Sequence, residues 1–132
     1  MIITSSLTRT VGENDTASSF GAHFPLAAST PFVLGMAEVA CHNAIAEHLT
    51  QGEITVGTYA SIEHHLPSPV GAQLTSTATL VEREGRRLEF SVEVRDGDDV
   101  CAVVHHRRAI ASAEKIAARL AARSTALDSS DH

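Results

Sequence analysis

The spacing of hydrophobic positions along the chain changes near Gly52. Before that point, residues 30–41 carry apolar side chains on almost every side of a helical projection, which predicts the buried part of a long helix that runs to about residue 49. After it, apolar and polar residues alternate in runs bounded by turn residues, the pattern of antiparallel strands. Four such strands are predicted, over residues 53–66, 72–83, 87–95 and 100–110.

The two ends of the chain extend this pattern. A first strand is predicted over residues 6–11. Residues 12–28 are predicted as a long loop, a kind of segment that often covers a binding site. A short helix is predicted over residues 113–122, and residues 124–132 are predicted as a flexible C-terminal tail. We therefore predict a single domain over residues 1–123.

The predicted long helix carries one ionisable residue, Glu38, in its apolar part. Thr30 is predicted as the N-cap and Pro31 as the first helical residue, and Gly52 follows the helix end. A carboxylate enclosed by apolar side chains must find a partner or take up a proton. Glu38 is therefore either a structural residue in an unusual setting or the centre of an active site. The alternative is a partly exposed residue on a helix that packs differently.

His64 lies on the predicted inward face of its strand. Alternation over residues 53–66 places seven side chains on that face: Ile54, Val56, Thr58, Ala60, Ile62, His64 and Leu66. If the helix packs there, His64 and Glu38 lie on the same side of the buried layer. A histidine at the edge of the core, bonded to a backbone carbonyl, is an equally good interpretation of His64.

Arg108 belongs to a dense basic run at the end of the last predicted strand. Alternation gives Arg108 and His106 the same face as Val104 and Ile110. An inward Arg108 would neutralise Glu38 or hold an anionic substrate. A solvated basic strand end explains the same residues. A metal site is not expected, because neighbouring strand residues diverge and no ligand spacing is recognised.

The order of elements is a strand, a long buried helix, a meander of four strands and a small helix. An α+β hotdog fold, in which a curled antiparallel sheet wraps around one long buried helix, has this order. One helix covers the sheet on one side only. Such a unit commonly pairs with a second copy, so a homodimer is expected.

Composition and charge exclude several classes of protein. A net charge of −6, 4% aromatic residues and no Trp argue against a nucleic-acid partner. No apolar run approaches the roughly 20 residues that a membrane helix needs, and residues 1–10 lack a signal peptide, so a cytoplasmic location is expected. Cys41 and Cys101 are predicted as buried free thiols. No Gly-rich phosphate loop, Gly-x-Ser-x-Gly elbow or Cys-x-x-Cys pair is present, and no cofactor is expected.

Residues 24–115 resemble the hotdog-fold thioesterases related to fluoroacetyl-CoA thioesterase. The segments that carry the resemblance are Gly35-Met36-Ala37-Glu38-Val39-Ala40-Cys41, Gly57-Thr58 with His64, Pro69-Val70-Gly71, Glu84-Gly85-Arg86-Arg87-Leu88 and His106-Arg107-Arg108-Ala109. The order and spacing of these segments are more specific than any one of them.

The resemblance implies an enzyme that hydrolyses a small acyl-CoA to the free acid and CoA. It implies that Thr30, Glu38 and His64 form the catalytic set. It further implies a homodimer with its sites at the subunit interface, leaving any higher assembly open.

Three further residues take substrate-binding roles from the same resemblance. Gly57 borders the acyl pocket, Arg108 lies near the catalytic set, and Phe24 matches one of two lid aromatics ahead of the threonine. The other lid aromatic falls on Gly21, with Phe20 beside it. This difference implies an acyl group other than fluoroacetyl.

Two other functions fit the same architecture. A hotdog dehydratase or hydratase also uses a histidine with an acid, although usually in a different motif. A non-catalytic hotdog module would bind an acyl-CoA or another small ligand without turning it over. Release of the CoA thiol separates hydrolysis from both alternatives.

Overall fold

One five-stranded antiparallel sheet packs around one long helix in the computed structural model, which describes residues 1–130. The strands lie in the order β1-β3-β4-β5-β2. The elements are β1 (Thr4–Thr10), α1 (Thr30–Ala46), β2 (Glu53–His64), β3 (Gln73–Glu84), β4 (Arg87–Asp96), β5 (Asp99–Ser112) and α2 (Ala113–Ser130). The predicted α+β hotdog architecture is confirmed.

The core lies between α1 and the concave side of the sheet. Every second residue of β4, from Leu88 to Val94, is buried, as the alternation predicted. On α1 the buried residues recur every three or four positions and form one stripe: Val33, Met36, Ala37, Ala40, Cys41, Ala44 and Ile45. Burying one large apolar side chain such as Phe90 stabilises the fold by roughly 2–3 kcal/mol.

Helix α1 begins one residue away from the predicted boundary. Ser29, and not Thr30, is the N-cap, since its side-chain oxygen accepts a hydrogen bond of 3.2 Å from the Phe32 N–H. The Ser29 N–H in turn donates to the Asp15 carbonyl, which holds Ser29 in place. The prediction of Thr30 as the cap was wrong. As a result, the Thr30 hydroxyl is free to bond elsewhere.

The predicted alternation along β2 is correct only in its second half. Gly57 pairs with Arg108 and Tyr59 pairs with Arg107, so Thr58 is an extra residue, a β-bulge. The bulge reverses the pattern, because one inserted residue moves every side chain before it to the other face. Ala60, Ile62 and His64 face α1 as predicted. Thr55 and Gly57 face α1 in place of the predicted Ile54, Val56 and Thr58.

The segment before α1 and the helix after β5 also differ from the prediction. The predicted loop over residues 12–28 contains two turns of 3-10 helix, Glu13–Asp15 and Ala17–Phe20. Helix α2 continues to Ser130 instead of ending at residue 122, so the part of the predicted tail up to Ser130 is helical. The Ala-rich sequence favours that continuation. Residues 131 and 132 of the predicted tail lie outside the described residues.

Neither helix within residues 1–130 has the length and apolarity that crossing a bilayer demands. Cys41 and Cys101 are both buried and free, as predicted.

Candidate active site

Thr30 and His64 meet at the start of α1 and the end of β2. The Thr30 Oγ1 and the His64 Nδ1 lie 2.9 Å apart and share a hydrogen bond. Thr30 is available for this bond because Ser29 caps the helix. Both residues line a cavity of about 300 Å³, whose other walls come from Ala17, Pro25, residues 27–29 and residues 65–67. A small acyl group fits a space of this size.

The environment of His64 favours the neutral form of its imidazole near pH 7. Burial lowers the pKa of His64 below its usual value of 6.5, and a weak contact with the Leu66 backbone opposes the shift. The Nε2 atom is buried, and no group among the described residues meets the geometry of a hydrogen bond to it. A neutral imidazole that shares a hydrogen bond with a cavity-lining hydroxyl can exchange a proton through that hydroxyl.

Glu38 lies farther along α1 and is less enclosed than its apolar neighbours predicted. Its side chain is 47% exposed in the single chain. The reason is that α1 buries only one stripe against its own sheet, whereas Glu38 and Val39, which is 40% exposed, lie outside that stripe. The Glu38 Oε1 lies 3.8 Å from the Nε2 of His106.

Arg108 lies in the same region, on β5, and is bonded to Thr55 on the neighbouring strand β2. Its Nε donates to the Thr55 Oγ1 at 2.8 Å, and its Nη2 donates to the Thr55 carbonyl at 2.9 Å. Thr55 also bonds the His42 Nδ1 at 2.9 Å, which ties the network to α1. Burial lowers the pKa of Arg108, while the nearby Glu38 carboxylate opposes the shift. The guanidinium stays charged and gives the region a fixed positive charge.

Gly57 is the point where these groups come together. A Cβ added at Gly57 would lie 3.0 Å from the Glu38 Oε1, 3.2 Å from the His106 Cε1 and 3.5 Å from the Arg108 Nη1. Two of these distances are too short for an ordinary contact. The absence of a side chain therefore lets the carboxylate, the imidazole and the guanidinium approach one another.

The predicted catalytic residues thus form two clusters in one chain. Thr30 and His64 are one cluster, and Glu38 belongs to the other, with Gly57 and Arg108. Thr30 and Glu38 are eight residues apart on α1, which corresponds to about 12 Å along the helix axis. A carbonyl bonded to Thr30 is therefore too far from the Glu38 carboxylate of the same chain for attack by that group.

Comparison with known proteins identifies the family. A sequence profile described as FlK, fluoroacetyl-CoA-specific thioesterase, matches residues 11–114. The chain belongs to this family. It is a family of thioester hydrolases, and membership makes this chain one as well.

Individual members of the thioesterase family agree with the profile. The fluoroacetyl-CoA thioesterase of Streptantibioticus cattleyicolor is 38% identical over 99 residues, which are 75% of this chain and 71% of that protein. A solved structure of a single-site FlK mutant in complex with acetyl-CoA superposes with a TM-score of 0.86 at 31% identity, covering 91% of this chain and 95% of the other.

A more distant structure supports the fold alone. A hypothetical protein of the thioesterase superfamily from Thermus thermophilus superposes with a TM-score of 0.87 at 19% identity. The superposition covers 96% of this chain and 93% of that one. The fold is therefore shared even where the overall sequence identity is low.

Phe24, the predicted lid residue of this thioesterase, does not line the cavity beside Thr30. It is 50% exposed, and its ring lies 5.9 Å from that of His23. Gly21 lies next to it, and a Cβ there would be 3.4 Å from the Phe24 ring. The substrate-binding role of Phe24 therefore stays a prediction, because Phe24 does not contact the cavity.

A larger cavity, of about 470 Å³, lies at the end of the sheet next to Arg108. Three arginines and three glutamates line it: Glu82, Glu84, Arg87, Glu89, Arg107 and Arg108. Its charges balance, and none of Thr30, Glu38 or His64 lines it. No group of three or more potential metal ligands was found within residues 1–130.

Two polar residues of the site were missed or undervalued in the sequence. Thr55 was assigned to the outer face of β2, because the bulge is invisible to a simple count of alternating residues. His106 was placed on the inward face but given no role, although it is only 1% exposed. A histidine among buried apolar positions was the available signal, since such a residue needs hydrogen-bond partners.

The protein should lose stability as the pH falls below about 6.5, the ordinary histidine pKa. Burial lowers the pKa of both His64 and His106 in the folded protein. The unfolded chain therefore binds protons first as the pH falls. The stability that the neutral rings contribute is present above that pH and is lost below it, by at most about 1.4 kcal/mol per pH unit for each ring.

Urea unfolding at pH 7.5 and pH 5.5 measures this loss. His106→Gln should flatten the pH dependence, because glutamine does not titrate, while the exposed His48→Gln should keep the wild-type slope. Equal slopes for wild type and His106→Gln would contradict the expectation.

Proposed function

We propose that the protein hydrolyses a small acyl-CoA to the free acid and CoA, with Thr30, Glu38 and His64 as the catalytic groups. The observation that carries this proposal is the 2.9 Å contact between Thr30 and His64 at the wall of a small cavity. It brings together two of the residue types expected of the thioesterase family. Membership of that family supports the same reaction.

The chemical roles follow from the groups available. Glu38 acts as the nucleophile on the thioester carbonyl or as the general base for water. His64 orients or transfers the proton and assists departure of the CoA thiolate. Thr30 and backbone N–H groups near the partner subunit's Gly57 bind the carbonyl oxygen as negative charge develops on it. Arg108 keeps a positive charge beside Glu38.

Each complete site contains Thr30 and His64 of one subunit and the partner subunit's Glu38. The separation of about 12 Å along α1 supports this arrangement, because one chain cannot present both clusters to one carbonyl. Homodimer formation is part of the same proposal. Strand β2 is an edge of the sheet, with Tyr59 48% exposed, and unpaired strand edges readily join another copy.

A short, unfluorinated acyl group is the proposed substrate class. The cavity beside Thr30 measures about 300 Å³. One FlK mutant structure contains acetyl-CoA, which supports a short chain here. Gly21 occupies the position expected of a second lid aromatic, which disfavours fluoroacetyl-CoA as the substrate. A cytoplasmic location also stays a prediction, supported by the two free cysteines.

A thiol-release assay with acetyl-, propionyl- and butyryl-CoA tests this function. We expect wild type to release CoA from at least one of them. His64→Ala should lower kcat by about 10²-fold or more, within the range for loss of acid–base catalysis. The control is His48→Ala, at an exposed residue just after the C-terminal end of α1, which should behave as wild type.

Three outcomes would contradict the proposal. Tight binding of the esters without thiol release would favour the binding module. Loss of the double bond of an enoyl-CoA without thiol release would favour a hydratase. Undiminished hydrolysis by His64→Ala would remove His64 from the mechanism.

A further inference from the structure

We infer that His106 is a positioning residue of the hydrolytic site, which holds the Arg108 guanidinium in place beside the Glu38 carboxylate. The inference rests on the proposed function, because it concerns the group expected to attack the thioester. It assigns a task to a residue that neither contacts the small cavity nor belongs to the predicted catalytic set.

The contacts of His106 determine which ring nitrogen carries the proton. The Nδ1 lies 2.8 Å from the Tyr59 carbonyl oxygen. A carbonyl oxygen only accepts, so Nδ1 must donate the proton of this bond. The Nε2 of the neutral ring is then an acceptor, and it lies 3.0 Å from the Nη1 of Arg108, which can only donate.

A protonated ring does not fit these contacts. It would direct an Nε2–H at the Arg108 Nη1, so that two donors and two positive charges would oppose each other. Burial lowers the pKa of His106, and Arg108 lowers it further, while the Tyr59 carbonyl and Glu38 oppose the shift. The ring is therefore neutral, and its 3.8 Å approach to Glu38 is not an ion pair. Its action on Glu38 must pass through Arg108.

The bond from His106 completes the immobilisation of Arg108. The other two nitrogens of the guanidinium donate to the Thr55 hydroxyl and carbonyl oxygens. All three nitrogens are thus held, two by β2 and one by β5. Without an acceptor at His106, Nη1 has no partner on β5 and the guanidinium is held from one side only, by Thr55.

The position of Arg108 matters because it sets the field at Glu38. The Glu38 Oε1, the His106 ring and the Arg108 Nη1 converge on the small volume that a Cβ at Gly57 would occupy. Glu38 itself is 47% exposed and lies on a different element, and the Arg108 guanidinium is a nearby cation that interacts with its carboxylate. A displacement of about 1 Å at a reacting group can cost about 10²-fold in rate.

Two substitutions separate this role from a merely structural one. His106→Asn keeps an amide donor close to the Nδ1 position, for the Tyr59 carbonyl, but has no acceptor for Arg108. His106→Gln reaches the Nε2 position with its carbonyl oxygen and can accept from Arg108. We expect His106→Asn to lower kcat by about 10–100-fold with KM little changed, and His106→Gln to restore kcat to within about 3-fold of wild type. His105→Asn, on the exposed face of the same strand, is the matched control.

A second cycle tests whether the effect passes through Arg108. In an Arg108→Met background, His106→Asn should cause no further loss of kcat, because the group that it positions is already absent. A further loss as large as in wild type would overturn the inference. Equal impairment of His106→Asn and His106→Gln would overturn it as well, since a structural role predicts that pattern.

A measurement without substrate keeps the inference separate from the proposed function. Exchange of the Arg108 Nε–H with water, followed by ¹⁵N NMR, should be slow in wild type and in His106→Gln and at least about 10-fold faster in His106→Asn. If wild type released no thiol but this order were found, the proposed function would fail while the positioning of Arg108 would stand. Equal exchange in all three proteins would overturn the positioning role itself.

Discussion

Glu38→Gln is expected to lower kcat for acyl-CoA hydrolysis by about 10³-fold or more, with KM changed by less than about 3-fold. Glutamine has the size of glutamate but can neither attack a thioester nor accept a proton from water. The side chain is 47% exposed, so the substitution should leave the free energy of unfolding within about 0.5 kcal/mol of wild type. Thiol release under saturating substrate measures kcat, and urea unfolding measures stability.

The matched control for this substitution lies on the same helix. Glu47 is exposed and lies at the C-terminal end of α1. Its replacement by glutamine removes the same charge as Glu38→Gln. Glu47→Gln should keep wild-type kcat, which would exclude a general effect of net charge. Equal activity of Glu38→Gln and wild type would show that Glu38 is not the reacting carboxylate.

Mixing two inactive variants should restore about a quarter of wild-type activity if each site of a twofold dimer contains residues of both subunits. Glu38→Gln supplies intact Thr30 and His64, and His64→Ala supplies intact Glu38. Random reassembly of equal amounts makes half of the dimers mixed. Each mixed dimer then contains one site with all native groups and one site with neither Glu38 nor His64.

The experiment consists of joint unfolding and refolding of the two variants, followed by the thiol-release assay. Glu38→Gln mixed with a variant that carries both substitutions is the control, because no mixed dimer of that pair contains a complete site. An absence of recovery in the first mixture, with mixed dimers demonstrated by mass spectrometry, would show that each site is built from one chain. The separation of Thr30 and Glu38 along α1 would then have to be bridged in another way.

The sequence was sufficient for the elements that repeat regularly. Alternation located β3, β4 and β5 within a few residues, because one face of each strand is buried and the other is not. It also placed Arg108 and His106 on the inward side of β5. The resemblance to hotdog thioesterases, carried by short segments in a fixed order, correctly indicated the family.

The sequence failed where one residue changes the local geometry. Ser29 and Thr30 are equally good caps on paper, and the choice depends on the bond between the Ser29 N–H and Asp15. The bulge at Thr58 reversed the first half of β2 and hid Thr55, since a two-residue period carries no mark of an inserted residue.

By itself, the sequence determined the hotdog order of elements, the position of the long helix α1 and the residue types of a thioester hydrolase, because periodicity and local motifs depend on near neighbours in the chain. Only the tertiary structure decided which of those residues meet. It joined Thr30 to His64, gathered Glu38, His106 and Arg108 around Gly57, and separated the two groups along the helix. Those contacts depend on strand register and on the absence of one side chain, which no periodic pattern records.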